Sequence, residues 1–289
     1  MKIRQIATIC SGQDGAIWGQ FLFRFKSKGE CYVYDLEQLS NAAADEQATE
    51  LSRFSLDKSA FLVPHSNAVM FGNEYAEEGD EFPLLYSNVY NNYAKAEDRM
   101  EGTCCVYRIW REGVQFQTEL MQLIQVGFTK DASLWCSGNG CKDVRPYGNF
   151  AIDRECGRYY GFVMRDEANA TRYFSFRLPK LGDGCMDEHF GVRRVVLTAA
   201  NIIDYFDCPY HRYLQGACVH DGLLYSLEGF TDDLVNPPAL RIIDPQNRAQ
   251  RAAYALQAFG LSIEPEFIDF GHEQCYYADH DGNLYRIQF

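Results

Sequence analysis

One pattern recurs five times along the chain and limits the folds that are open to it. Alternating apolar residues are followed by a charged residue and an aliphatic one, and the fourth copy is looser than the others. The copies lie at residues 32–36, 105–109, 174–178, 240–244 and 283–287. Alternation with a period of two predicts a β-strand with one buried face. The 289 residues therefore divide into five units of about 58 residues, which indicates a repeated β-structure.

Each unit carries further strand-like segments. An aromatic-rich strand precedes each copy, at residues 21–25, 82–87, 158–163, 223–227 and 274–278, and a short strand with a polar start comes before it. Outer strands are predicted at residues 50–56, 119–128, 194–199 and about 253–259. Helical propensity competes with this interpretation at residues 42–51 and in the alanine-rich stretch at residues 248–259.

The fifth unit lacks an outer strand, and the apolar segment at residues 2–9 is left over at the N-terminus. Pairing of the two chain ends closes a ring and removes its exposed edges. We therefore predict an all-β fold, a five-bladed β-propeller in which an N-terminal strand completes the last blade, with residues 1–289 in one domain. A pair of β-sandwich domains is the alternative. Repeats with a Trp-Asp ending are excluded, because their period is about 40–45 residues and no Trp here precedes Asp.

Acidic residues outnumber basic ones, 40 to 27, which gives a net charge of −13. A surface of that sign repels phosphate backbones and anionic lipids, so we expect neither a nucleic-acid nor a membrane partner. The sequence contains no run of 18 apolar residues and no signal-peptide pattern, which predicts a soluble, cytoplasmic protein. Eleven cysteines, many of them in strand-like runs, fit a reducing compartment.

Polar residues lie at the starts of the inner strands in all five units. In a propeller these strands line the central channel, and the loops that lead into them meet at one end of it. The polar residues are Gln13, Asp14, His65, Asn67, Tyr147, Asn149, His211, Gln215, Glu264 and Glu266. Convergent polar groups in a concavity are typical of a ligand site, so we expect a small polar ligand, a glycan among the candidates. The same groups can instead satisfy one another around the channel.

Three of these segments resemble those of the arabinanase and β-xylosidase type of glycoside hydrolase, a five-bladed family with three carboxylates at inner-strand starts. The resemblance implies that Asp14 stands in the position of the general base. The pKa-tuning carboxylate and the general acid would fall at Asn149 and Gln215, which are amides. An amide cannot transfer the proton that inverting hydrolysis needs. The hydrolase mechanism is therefore either lost or dependent on another carboxylate. In the second case, we expect Asp14 and Glu266 to be the catalytic pair.

Two further alternatives stay open. His65, His211 and Glu266 offer nitrogen and oxygen donors that suit a divalent metal in the central channel, and the protein would then be a metal-dependent hydrolase or lyase. The second alternative is a scaffold without catalytic activity, which binds a protein partner through an exposed apolar patch. The sequence does not choose between them, and the cofactor stays unknown.

Overall fold

A computed structural model describes residues 1–41, 46–89, 100, 102–126, 149–163, 171–209 and 214–289. In this part of the chain, 22 strands form five sheets, and we number them β1–β22 in chain order. The helices are short: the α-helices Leu36–Asn41 and Ser59–Leu62, and the 3-10 helices Ser27–Gly29, Ala199–Asn201 and Leu256–Phe259. None of these described helices has the length and apolar character needed to cross a bilayer. The predicted all-β class is confirmed.

Each sheet forms one blade, with its innermost strand given first below. Blade 1 contains β2 (Asp14–Trp18), β3 (Phe21–Phe25), β4 (Glu30–Asp35) and β5 (Ser52–Ser55). Blade 2 contains β6 (Val69–Phe71), β7 (Leu85–Val89), β8 (Thr103–Glu112) and β9 (Gln115–Val126), extended by β14 (Val192–Leu197) and β13 (Cys185–Asp187). Blade 3 contains β10 (Phe150–Asp153), β11 (Arg158–Val163), β12 (Thr171–Arg177) and β15 (Asp204–Cys208).

The last two blades complete the set. Blade 4 contains β16 (Leu214–His220), β17 (Leu223–Glu228), β18 (Ala239–Asp244) and β19 (Ala249–Ala255). Blade 5 contains β20 (Pro265–Gly271), β21 (Gln274–Asp279), β22 (Asn283–Gln288) and the N-terminal strand β1 (Lys2–Thr8). The inner strands contact one another in a closed circle, because β2 contacts β6 and β20, β10 contacts β6 and β16, and β16 contacts β20. The predicted five-bladed β-propeller is confirmed.

The N-terminal strand closes the ring, as the sequence predicts. β1 pairs antiparallel with β22, from Lys2 opposite Gln288 to Thr8 opposite Asn283. Ile6 is buried within this strand and belongs to the apolar cluster between blades 5 and 1. The backbone ladder covers the edge that β22 would otherwise expose, and β1 becomes the outermost strand of blade 5.

Aromatic side chains fill the space between blades. The ring of Phe23 in blade 1 meets Phe71, Phe116 and Phe82 of blade 2 edge to face, with centroid separations of 5.3, 5.4 and 5.8 Å. Trp18 also packs on Phe71, at 5.8 Å. Aromatic pairs in such geometries contribute about 0.5–1.5 kcal/mol each beyond the area that they bury. The aromatic-rich strands of the sequence pattern therefore hold neighbouring blades together.

Both helices expected from propensity are wrong. Residues 248–259 form β19 and the 3-10 helix Leu256–Phe259 instead of one α-helix. Burial alternates along β19, and its ladder with β18 outweighs the helix propensity of the alanines. The second expected helix, at residues 42–51, does not form over residues 46–51, and residues 42–45 lie outside the described part of the chain.

One predicted outer strand belongs to a different blade. The segment expected at residues 194–199 forms β14, but it pairs parallel with β9 and so extends blade 2. The outer position in blade 3 is taken by β15, which pairs with β12. A period of two identifies a strand without identifying its partner, because pairing is decided by the tertiary fold.

An ion pair between Arg154 and Asp269 joins four blades near the C-terminal ends of the inner strands. Arg154, in the turn after β10, donates from Nη2 to Asp269 Oδ2 of blade 5 at 3.0 Å. Its Nε donates to the carbonyl oxygen of Phe71 in blade 2 at 3.1 Å, and its Nη1 to that of Ile17 in blade 1 at 3.4 Å. Asp269 Oδ2 also accepts from the backbone nitrogen of Ile17 at 2.8 Å. The guanidinium group therefore spans the axis and fixes the relative positions of the inner strands.

Replacing Ile6 by alanine should loosen the closure of the ring. Ile6→Ala leaves a cavity beneath β1, and we expect the free energy of unfolding to fall by about 2–4 kcal/mol. Ile203→Ala is the matched control, because Ile203 is exposed and surface changes usually stay within about 0.5 kcal/mol. Denaturant unfolding measures both variants. Equal stability of the two variants would contradict the role assigned to β1.

Removing the charge of Arg154 should cost more than removing both partners of its ion pair. Arg154→Met leaves the Asp269 carboxylate buried without its cation, and we expect a loss of about 2–3 kcal/mol, since the Arg154 side chain keeps 26% of its exposure. The double variant Arg154→Met/Asp269→Asn should recover part of this loss, because no unpaired charge remains. The comparison uses denaturant unfolding at neutral pH. A double variant less stable than Arg154→Met would count against this explanation.

Candidate functional site

The polar starts of the inner strands do converge at one end of the propeller axis. Gln13 Nε2 donates to Glu266 Oε1 at 3.2 Å and so links blade 1 to blade 5. Gln215 Nε2 donates to Glu264 Oε1 at 2.6 Å and links blade 4 to blade 5. Gln13 and Gln215 are far apart in sequence from each other and from the two glutamates, and the circular arrangement of blades brings them together.

The same chain of contacts continues through blades 3 and 2. Asn149, directly before β10, donates from Nδ2 to the carbonyl oxygen of Leu214 in blade 4 at 2.7 Å. Its Oδ1 lies 3.4 Å from Asn88 Nδ2, which also donates to Asn67 Oδ1 at 2.5 Å. Both Asn88 and Asn67 belong to blade 2 or to the loop that leads into it. Carboxamides serve well here because each one can donate and accept at the same time.

Asp14 completes a closed series of hydrogen bonds between the inner strands, which we call the circuit. Its side chain is almost inaccessible to solvent. Its Oδ2 accepts from the backbone nitrogen of Val69 at 2.7 Å, which joins blade 1 to blade 2. Asp14 is 1% exposed, and burial raises the pKa of its carboxyl group well above the ordinary value. Its other oxygen, Oδ1, has no hydrogen-bond partner among the described residues. The five blades are thus joined by hydrogen bonds that each involve at least one side chain, and Asp14 Oδ1 is left without a partner among the described residues.

The backbone must approach closely at this end of the channel. A Cβ atom on Gly216 would overlap the carbonyl oxygen of Glu266 and would lie 3.0 Å from Asp14 Oδ1. Only glycine allows β16 to run so near both neighbours. Blades 4, 5 and 1 therefore meet at Gly216, beside the unpartnered oxygen of Asp14.

Glu266 and His280 form a buried acid and its half-exposed partner. His280 Nδ1 lies 2.9 Å from Glu266 Oε1, and the His280 side chain keeps 48% of its exposure. Burial raises the pKa of Glu266 to about 7, while the hydrogen bond to Glu266 raises the pKa of His280. The two groups therefore form a hydrogen-bonded acid–base pair. Glu266 Oε2 has no partner among the described residues, although Glu266 is only 1% exposed.

Glu264 brings a second carboxylate to the same place. Burial raises the pKa of Glu264 as well. Donor atoms of Glu264, Glu266 and His280 all lie within 4.8 Å of one another, which is the kind of grouping that can hold a metal ion. This set differs from the predicted set of His65, His211 and Glu266, and it shares only Glu266 with that set. His211 lies outside the described residues.

The predicted residues divide into three groups. Seven take part in the hydrogen-bonded circuit: Gln13, Asp14, Asn67, Asn149, Gln215, Glu264 and Glu266. His65 lies in the loop before β6, where burial lowers its pKa. Tyr147 and His211 lie outside the described part of the chain, so their predicted roles stay predictions.

The sequence analysis did not identify three residues of the site. His280 stands in a His-Asp-Gly sequence that is typical of a hairpin turn, and Asn88 is the next-to-last residue of the second strand of blade 2. Arg24 is fully buried in β3, and its Nη2 donates to the carbonyl oxygens of Gly12 and Asp279 at 2.9 Å each. Arg24 also acts electrostatically to lower the pKa values of Asp14 and Glu266, which partly offsets burial. A lone arginine inside an aromatic strand is the signal that could have identified it.

Two hydrogen bonds explain why amides occupy the positions that correspond to hydrolase carboxylates. Asn149 Nδ2 faces a carbonyl oxygen, and Gln215 Nε2 faces both the Glu264 carboxylate and the carbonyl oxygen of Gly229, at 2.6 and 3.3 Å. A carboxylate at either position would place negative oxygen against negative oxygen. The circuit therefore requires donors here, and the resemblance to glycoside hydrolases gains no support from these two residues.

No known protein family matches the sequence, and no curated protein matches it. Solved structures resemble it only distantly. A glucose dehydrogenase covers 100% of both chains at 8% identity with a TM-score of 0.49. BamB from Moraxella catarrhalis is 9% identical with a TM-score of 0.35, and this chain spans 61% of its length. The computationally designed Ika8 protein is 8% identical with a TM-score of 0.38, and the match covers 99% of this chain and 100% of that chain. At these identities and TM-scores the likenesses carry no argument about function.

Changing Asn149 to aspartate should destabilise the protein, whereas the same change at Asn67 should not. Asn149→Asp removes the donor to the carbonyl oxygen of Leu214, and we expect a loss of about 1–3 kcal/mol at about pH 7. The loss should shrink at about pH 4, because a protonated carboxyl group can donate again. In Asn67→Asp, the accepting oxygen is kept. Denaturant unfolding at the two pH values tests this, and equal losses in both variants would contradict it.

Proposed function

We propose that this chain binds a small, neutral ligand rich in hydroxyl groups, with carbohydrates as the leading class, at the circuit of inner-strand residues. One observation carries the proposal: Asp14 Oδ1 and Glu266 Oε2 are buried acceptors without a donor among the described residues. Buried polar atoms are normally hydrogen-bonded, so such acceptors call for a partner that donates. Hydroxyl groups of a bound ligand supply that donor.

The charge of the site narrows the class of ligand. Asp14, Glu264 and Glu266 meet at one end of the axis, in a chain whose net charge is −13. The net negative charge of the chain repels phosphorylated and acidic ligands, whereas it does not repel neutral polyols. The amides of Gln13 and Gln215 lie beside the carboxylates and can exchange hydrogen bonds with ligand hydroxyls. Charge and hydrogen-bonding capacity together favour a neutral sugar or polyol over an anion.

Binding is better supported than hydrolysis. Glu266, with a pKa of about 7, has the protonation behaviour that a general acid needs at neutral pH. Asp14 is the remaining candidate for the base, but burial raises its pKa and so disfavours the carboxylate that would activate water. Binding needs no such proton transfer. We therefore assign ligand binding first and hydrolysis by Asp14 and Glu266 second.

A protein-binding scaffold is the second candidate function. The hairpin of β13 and β14, which extends blade 2, exposes Met186 at 59% and Val196 at 52%. Apolar side chains on an outer strand pair are typical of surfaces that receive a partner. This surface lies on the rim and is separate in sequence from the residues of the circuit.

The proposal predicts that Glu266→Gln weakens binding of a neutral saccharide. The change replaces an accepting oxygen with a donor, and loss of a hydrogen bond to a charged group of about 1.5–3 kcal/mol corresponds to roughly 10- to 100-fold weaker binding. Calorimetric titration with a panel of monosaccharides and disaccharides measures this. Glu273→Gln is the matched control, since Glu273 lies on the exposed surface.

The outcomes separate the candidates. Binding that is lost in Glu266→Gln and kept in Glu273→Gln supports the proposal, and turnover of aryl glycosides that Asp14→Asn abolishes would add hydrolysis to it. Failure of every saccharide to bind the unaltered protein overturns the ligand proposal and leaves the scaffold. Equal binding by both glutamine variants would overturn the role of Glu266.

A further inference from the structure

We propose that Glu264, Glu266 and His280 bind one divalent transition-metal ion, with Mn²⁺ and Zn²⁺ as suitable ions. Their donor atoms lie within 4.8 Å of one another. Atoms that share an ion in tetrahedral geometry at about 2.0–2.2 Å lie roughly 3.3–3.6 Å apart, so the donor atoms would have to approach by at most about 1.5 Å. The site overlaps the proposed ligand site and shares Glu266 Oε2 with it, whereas the donor atoms of Glu264 and His280 belong to the metal site alone.

The donor set selects the kind of metal. Two carboxylates and one imidazole suit Mn²⁺, Fe²⁺ or Zn²⁺, whereas Ca²⁺ and Mg²⁺ prefer oxygen ligands alone. The two carboxylates supply two negative charges to a divalent cation. His280 stands half-exposed at the solvent side of the group, and Glu266 lies buried beneath it. An ion can therefore enter from the solvent and be held against the buried carboxylate.

A second observation points to a bound cation independently of the grouping itself. Glu266 Oε2 is buried and has no hydrogen-bond donor in the described residues, while the other oxygen of the same carboxyl group contacts His280. An unpartnered buried carboxylate oxygen is costly. A metal ion on this carboxyl group supplies the missing interaction. Asp14 Oδ1 is likewise buried and unpartnered.

Outer hydrogen bonds hold the two carboxylates in position. Gln13 Nε2 donates to Glu266 Oε1, and Gln215 Nε2 donates to Glu264 Oε1. Metal sites commonly orient their ligands through such outer contacts, whose removal weakens metal affinity by about 10- to 100-fold. Gln13 and Gln215 come from blades 1 and 4, so both neighbours of blade 5 support the site.

A second histidine and acid group provides an internal control. Donor atoms of His220, Asp221 and Glu273 also lie within 4.8 Å of one another. The Asp221 and Glu273 side chains are 77% and 85% exposed, and His220 stacks on the ring of Phe270 at 3.8 Å. Water satisfies exposed carboxylates, so this group has no need of an ion and carries no proposal.

Titration of the full, chelator-treated chain with Mn²⁺ tests the inference. The signal of free Mn²⁺ in electron paramagnetic resonance falls as the ion binds, and we expect one ion per chain. His280→Ala and Glu264→Gln should weaken binding by about 100-fold or more, and Gln215→Ala by about 10- to 100-fold. Glu273→Gln should leave the affinity unchanged. Circular dichroism confirms that each variant is folded; His280 and Glu264 are less buried than Glu266, so their variants are the primary readout.

Several results would overturn the inference. These are the absence of stoichiometric Mn²⁺ or Zn²⁺ binding, unchanged affinity in both His280→Ala and Glu264→Gln, or loss of binding in Glu273→Gln alone. Failure of the metal inference can be distinguished from failure of the proposed saccharide binding. Saccharide binding by metal-free protein with no metal uptake would reject the metal site alone, whereas stoichiometric metal uptake without any saccharide binding would reject the saccharide proposal alone.

Discussion

Closure of the ring by the β1–β22 ladder is the constraint on which the other features depend. Once Lys2 pairs with Gln288 and Thr8 with Asn283, five inner strands must surround one axis. Their polar starts are then forced together, whatever their separation in sequence. Crowded polar groups must be paired or solvated, since a buried unpartnered group is costly. The circuit from Gln13 to Asn149 is the consequence of that requirement.

The two ends of the inner strands meet this requirement in different ways. At one end, Arg154 pairs with Asp269 and donates to carbonyl oxygens of two further blades, so charge and hydrogen bonds are balanced within the protein. At the other end, the acceptors Asp14 Oδ1 and Glu266 Oε2 and the donors Arg24 Nε and Nη1 all stay without partners among the described residues. The first end is therefore satisfied within the protein. The second end keeps buried polar atoms that no described residue satisfies.

The circuit also explains the chemistry that the site avoids. Amide nitrogens of Asn149 and Gln215 donate to oxygen atoms, and carboxylates in their places would repel those atoms. Proton-transfer capacity is concentrated instead in Glu266 and His280, on blade 5 alone. A hydroxyl-rich ligand and a metal ion would both satisfy the unpartnered oxygen of Glu266. They differ in their other contacts, because the metal ion would also use Glu264 and His280 and the ligand would use Asp14.

The sequence by itself determined most of the strands, the count of blades, the closing segment at residues 2–9 and the polar residues at the inner-strand starts. Each of these follows from local alternation or from a leftover segment that must find a partner. The sequence did not predict β13 or β15. Tertiary structure alone decided that β14 joins blade 2, that the alanine-rich stretch forms β19, and that His280, Asn88 and Arg24 belong to the site. Their roles depend on contacts between blades, and local periodicity records which face is buried without recording what lies opposite it.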